Sequence, residues 1–205
     1  MIRASHHSIL FPFFRNYVLW KMKRSLARTE IIGNVQDKGK AVLWIANHMS
    51  WWDGIWVLSL NGKTFRRKFH FMMLEEQLQK NWFFQFTGGF SVKKGTRSVL
   101  QSLNYAAELL QNPQNMVLMF PQGEIQSMHQ RKFSFEKGIE KILQKAPKEV
   151  QVIFHVNFVD YLSQSKPTLF QYLTEYKGGT SHYEMEEAYN RFYRECLTAQ
   201  SAKSS

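Results

Sequence analysis

Ala41-Val42-Leu43-Trp44-Ile45-Ala46-Asn47-His48-Met49-Ser50-Trp51-Trp52-Asp53 is the stretch on which the reading of this chain turns. Its first six residues are apolar and lie between Gly39 and Asn47, the pattern of a short buried strand. Ile55-Trp56-Val57-Leu58-Ser59-Leu60 follows and starts a helix. His48 and Asp53 therefore stand where a strand leaves the core and a helix begins. A loop held there can aim an imidazole and a carboxylate into one crevice. Ser50 and Asp53 also fit the S-x-x-D capping box. On local pattern alone, Asp53 is either a helix cap or half of a catalytic pair.

Working outward, strand and helix patterns alternate along the chain. Ile31 to Val35 and Phe69 to Leu74 read as strands, and Glu75 to Phe86 has roughly helical spacing. Phe90 to Val92 is a short strand before the basic turn Lys93-Lys94-Gly95-Thr96-Arg97. Val99, Leu100, Leu103, Ala106, Ala107 and Leu110 mark one face of a helix that Asn112-Pro113 ends. The amide groups at its start, beside Lys93, Lys94 and Arg97, form a candidate anion site, with a solvated turn as the alternative. Met116 to Phe120 is another buried strand, running directly into Pro121-Gln122-Gly123-Glu124. A helix over Ser134 to Lys145, strands over Val150 to Val156 and Pro167 to Tyr176, and a helix over Glu184 to Leu197 complete the series. This alternation predicts a single α/β domain with a central mixed, largely parallel sheet flanked by helices. The division expected is a basic N-terminal segment over 1–30, the domain over 31–198 and a disordered tail over 199–205.

Composition narrows the partners. The 205 residues carry a formal net charge of +11 and are 15% aromatic. Residues 1–40 hold eight Lys or Arg and two acids, more than half of that excess. Ile9 to Met22 with Arg15, Lys21, Lys23 and Arg24 read as an amphipathic helix with rings on one face and cations on another. Such a helix either lies in the interface of an anionic membrane or packs on the domain. No run of about 18 apolar residues spans a bilayer, and Ile9 to Phe14, interrupted by Pro12 and Arg15, is a poor signal peptide. The lone Cys196 cannot form an internal disulfide and reads as a small core residue, which fits a reducing, cytoplasmic location on the inner face of a membrane. No RNA-binding signature, helix-turn-helix pattern or zinc spacing appears, so no nucleic-acid partner is expected. His70, His129 and His155 show no ligand spacing for a metal.

Asn47-His48-x-Ser50-x-x-Asp53 resembles the first motif of the glycerolipid (lysophospholipid) acyltransferase family. Gly88-Gly89-Phe90-Ser91-Val92-Lys93-Lys94 is similar to that family's G-x-I-F-V-x-R, and Phe120-Pro121-Gln122-Gly123-Glu124-Ile125-Gln126 to its F-P-E-G-T-R-S. Phe135-Glu136-Lys137-Gly138 is similar to its F-K-x-G. The resemblance spans residues 40 to 156, with the motifs in family order. It implies an acyltransferase-like fold and a peripheral membrane enzyme of phospholipid biosynthesis. His48 and Asp53 become the catalytic dyad, and Asn47, Ser50, Lys93, Lys94, Arg97, Phe120, Pro121, Gln122, Gly123 and Glu124 the substrate-binding residues. The co-substrate is acyl-CoA or acyl-loaded acyl carrier protein, with no further cofactor. The acceptor is a lysophospholipid or related lipid alcohol, lysophosphatidic acid-like acceptors leading and an uncharged, glycosylated or amino-acid-derived lipid alcohol as the alternative.

The chemistry agrees with these residue types. An alcohol is a poor nucleophile while protonated, so acyl transfer to it needs a base such as neutral His48. Asp53 would take a hydrogen bond from the other ring nitrogen and fix the tautomer. Backbone groups near Gly123 or the start of the Ser50 helix are the expected donors to the oxyanion. The chain departs from the family pattern in the third motif, where Gln122 and Ile125 replace Glu and Arg. That removes a bidentate phosphate contact, with Lys94 and Arg131 as candidate replacements. The rival readings are a non-catalytic membrane-binding protein on the same fold and a thioester or ester hydrolase.

Overall fold

The computed structural model describes all residues except Lys94, Thr96 and Ser205. Seven strands form one sheet in the order β1-β7-β6-β2-β5-β3-β4. They are β1 (Arg28–Ile32), β2 (Val42–Ala46), β3 (Lys68–Leu74), β4 (Gly89–Val92), β5 (Asn115–Met119), β6 (Gln151–Asp160) and β7 (Thr168–Tyr176). From β6 to β4 all neighbours are parallel. β7 runs antiparallel to β6, and β1 runs parallel to β7. The expected mixed, largely parallel sheet is the one observed.

The helices are α1 (Leu10–Ser25), α2 (Asp53–Lys63), α3 (Glu75–Lys80), α4 (Ser98–Leu109), α5 (Gly138–Lys145) and α6 (His182–Ser201). Alternate residues of β2 face different layers, as strand geometry requires. Leu43 and Ile45 pack with α4, α5 and α6, whereas Val42, Trp44 and Ala46 pack with α1 and α2. All five residues of β2 are buried. Cover on both faces is why this strand reads as a continuous apolar run.

Four local expectations are corrected. The first strand lies at Arg28–Ile32 rather than 31–35, where it pairs in register with Thr168 to Tyr172. The helical pattern over 75–86 breaks at Asn81 into α3 and a 3₁₀ turn, Trp82–Thr87. The helix expected from Ser134 starts only at Gly138. Before it, the amides of Phe133, Phe135 and Glu136 donate to Asn190, Glu186 and Pro121, which holds the segment out of helix. The tail is ordered further than expected, because α6 continues to Ser201. Gln200 is buried, accepting from Tyr172 Oη and donating to Asp160, so two polar partners hold the last turn.

The N-terminal segment is likewise part of the domain. Ser91 N donates to the Ile2 carbonyl, and Ser5 N and His7 N donate to the carbonyls of Gln85 and Phe86. Gly88, with φ 104°, joins the 3₁₀ turn to β4. A Cβ there would collide with the Phe69 carbonyl, so the position admits glycine alone.

Three histidines of this framework, the buried His70 and His155 and the half-buried His6, are held below the usual imidazole range. Burial, aided by Lys68, lowers His6 to about 4, and burial lowers His155 to about 3. His70 falls to about 3, chiefly by burial. Trp44 Nε1 donates to His155 Nδ1 at 3.0 Å, a bond that needs an unprotonated nitrogen. Below pH 6.5 the unfolded chain binds more protons than the folded one, so stability falls as the pH drops toward 4. Urea midpoints should be lower at pH 5 than at pH 7. His155→Gln, which keeps an acceptor for Trp44, should flatten that difference; equal midpoints for the parent chain at the two pH values would contradict it.

Candidate active site

The carboxyl ends of β2 and β5 lie side by side, because Ile45 pairs with Met119. Chain leaving both strands at that edge builds the site. Asn47 continues β2 by proxy: its Nδ2 donates to the Asn157 carbonyl and its Oδ1 accepts from Asn157 N, at 3.1 and 2.8 Å. A side-chain amide thus replaces one rung of the ladder and fixes where the next residue, His48, emerges.

His48 Nδ1 lies 2.8 Å from Asp53 Oδ2, and the same oxygen accepts from Met49 N at 2.7 Å and Ser50 N at 2.8 Å. An oxygen receiving two amide protons is an acceptor, so the proton between the side chains sits on Nδ1. The Nε2 lone pair is then left for chemistry. Asp53 is fully buried. Burial pushes its carboxyl up, while the bonds from His48, Ser50 and Met49 pull it back. Its Oδ1 finds no partner among the described residues. Ser50 Oγ accepts from Trp52 N at 3.1 Å, so this hydroxyl serves the start of α2. One oxygen of Asp53 thus meets both the amides ahead of α2 and the His48 ring.

Phe120 stacks on the imidazole, with centroids 3.9 Å apart and planes 10° from parallel. Gln122 is buried and spans two segments. Its Oε1 accepts from His48 N at 2.7 Å, and its Nε2 donates to Gln126 Oε1 at 3.0 Å. Gln126 N donates in turn to the His48 carbonyl at 2.9 Å. The third-motif loop is therefore clamped to the first motif on both sides of the His48 backbone. A side chain that both accepts and donates is needed for this link, and an amide has both functions.

Asn47, His48, Ser50, Asp53, Phe120 and Gln122 come together at the crevice. Pro121 is buried behind it, its carbonyl accepting from Glu136 N. Gly123, with φ 69°, forms the turn, its N–H donating to the Phe120 carbonyl. That amide, and those of Met49 and Ser50, are engaged within the protein. Glu124 is exposed beside Gln126. Lys93 and Arg97 are exposed beyond β4, on the same sheet edge but three strands from β2. At about 4.8 Å per strand that is about 14 Å across the sheet. Lys94 lies outside the described residues.

Next to Met49 and Ser50 opens a cleft of about 530 Å³, lined largely by apolar side chains including Met22, Leu26, Trp52, Trp56 and Met128. Cys196 is buried in the core with its thiol pushed up to about 12 by burial, as expected of a residue without a chemical role. No group of three or more metal-ligating side chains lies among the described residues.

A model of the family described as Acyltransferase matches residues 8–160, well over half of the chain. The chain belongs to the acyltransferase family. Membership makes it an enzyme with an acyl donor and a lipid acceptor. Among solved structures, this acyltransferase is similar to the 1-acyl-sn-glycerophosphate (LPA) acyltransferase PlsC from Thermotoga maritima. The TM-score is 0.63 and the identity 21%, over 95% of this chain and 84% of that one, a likeness of fold. No match is found among curated proteins.

Asn157 lies outside the sequence motifs and Gln126 only closes the third without an assigned role, since each acts through partners that strand order brings near. Gln122→Ala should destabilise the acyltransferase by about 1 kcal/mol through the lost bonds at His48 and speed hydrogen exchange at the His48 amide. Gln122→Glu, which retains the acceptor, should keep most of that protection.

Proposed function

We propose that this acyltransferase moves a fatty acyl group from an acyl thioester, carried by coenzyme A or acyl carrier protein, to the hydroxyl of a lysophospholipid or related lipid alcohol. The single observation that carries this reading is the 2.8 Å contact of His48 Nδ1 with Asp53 Oδ2, which leaves Nε2 as the free base. His48 Nε2 takes the acceptor's proton as its oxygen bonds to the thioester carbonyl carbon. Collapse of the tetrahedral adduct breaks the C–S bond, and the imidazolium returns the proton to the departing thiolate. Asp53 holds the tautomer and balances the imidazolium, while the Phe120 ring lies against it. The mechanism uses no further cofactor. The apolar cleft beside Met49 suits a hydrocarbon chain.

Membrane association is part of the proposal. Phe13, Trp20 and Trp82 are 72, 54 and 63% exposed, and Tyr17 and Trp51 are exposed with them. Trp51 stacks on Phe84, and Phe84 and Phe83 meet Phe14 of α1, so these rings belong to one region. Lys21 and Arg24 sit over Trp52 and Trp20. Aromatic rings flanked by cations suit the interface of an anionic membrane, here the cytoplasmic face. No helix among the described residues is long and apolar enough to cross a bilayer.

Transfer of a labelled long-chain acyl group to lipid alcohols should fall at least about a hundredfold in His48→Ala, with unchanged thermal unfolding. Equal rates in a folded mutant would refute the base, and labelled free fatty acid as the only product would indicate a hydrolase. Phe13→Glu combined with Trp20→Glu should weaken cosedimentation with anionic vesicles more than tenfold, because two buried rings are lost from the interface. Raising the salt concentration should weaken binding of the parent chain further.

A further inference from the structure

Resting on His48 as the base, we infer that Phe120 is a positioning residue of the reaction, whose ring face stabilises the imidazolium that His48 becomes. The two ring centroids lie 3.9 Å apart, with planes 10° from parallel. Neutral aromatic rings disfavour this face-to-face arrangement, because their quadrupoles repel, and prefer offset or edge-on contacts at about 4.5 to 7 Å. The other histidine ring contacts among the described residues follow that preference, standing edge-on with planes 74 to 88° apart. A cation over an aromatic face is attracted instead. The stack on His48 therefore suits the charged form of the imidazole better than the resting one.

Bonds outside the contact impose the stack. Gln122 and Gln126 grip the His48 peptide group, and Asp53 holds its Nδ1. The Phe120 carbonyl accepts from Gly123 N at 3.1 Å, and its side chain packs on the layer that contains Trp44 and Leu118. As Nε2 takes the acceptor's proton, positive charge develops against a ring face that is already in place. The attraction thus arises on the way to the transition state and is missing from the ground state, which is what lowers a barrier. Contact through the face also obstructs neither ring nitrogen, since both point outward in the plane, Nδ1 to Asp53 and Nε2 to the acceptor. The His48 side chain is 20% exposed, so solvent screens the attraction only in part.

The test replaces Phe120 in the full chain by phenylalanines carrying one, two and three ring fluorines, which weaken the negative face stepwise at nearly constant shape. Each chain receives a labelled long-chain acyl-CoA in neutral detergent micelles. The acceptor is 1-acylglycerol 3-phosphate or 1-acylglycerol, whichever the parent chain acylates faster. The single-turnover rate at saturation should fall with each fluorine, by about threefold to thirtyfold over the series. The half-saturating acceptor concentration and thermal unfolding should not change. Phe120→Leu, which covers the imidazole without a π face, should lose about as much as the trifluorinated ring. Equal rates across the fluorinated chains would overturn the inference, and a loss confined to Phe120→Leu would reduce the ring to packing. In either case a loss of about a hundredfold in His48→Ala leaves the base standing. Transfer by His48→Ala at the parent rate, or transfer to neither acceptor, would remove the base and the inference together.

Discussion

Asp53 Oδ2 is the atom on which the site depends. Placing a carboxylate in a fully buried position is costly unless donors surround it. Here the donors are the His48 ring and the amides of Met49 and Ser50, all within six residues of chain. The carboxylate sits in the first turn of α2, where the helix dipole also favours negative charge. One set of bonds thus starts the helix, shapes the loop and orients the imidazole. The start of the helix and the orientation of the imidazole are one structural requirement here.

The loop can take that shape because its two ends are fixed independently. On the strand side, the Asn47 amide copies a backbone rung against Asn157. On the facing side, Gln122 and Gln126 grip the His48 peptide group from the end of β5. Phe120 closes one face of the ring. An imidazole held by its neighbours, its backbone and a stacked ring has little freedom left to lose when it reacts, which is the physical meaning of preorganisation. The parallel arrangement of β2, β5 and β6 makes this convergence possible, since all three deliver their following residues to one edge.

The N-terminal segment shows one helix with a buried and an exposed apolar surface. Val18 and Met22 of α1 are buried against the domain, and Met22 also lines the cleft. Phe13, Tyr17 and Trp20 on the same helix remain exposed. The apolar face of α1 is wider than the domain can cover. Burial on the domain and exposure thus divide by residue along α1.

Local sequence determined a good deal by itself. The apolar run over 41–46 announced β2 because both its faces are covered, and the strand-helix alternation announced the mixed sheet. The His48 to Asp53 spacing lies within one loop, so their contact was readable without tertiary information, as was the buried place of Cys196. Only the tertiary structure decided what Gln122 does, since its partner is 74 residues away. Antiparallel β7, the extended segment before α5 and the ordered end of α6 likewise follow from partners distant in the chain. Periodicity and capping patterns report the neighbours a residue has along its own element. Bonds between elements depend on strand order, and strand order is set by the packing of the whole sheet.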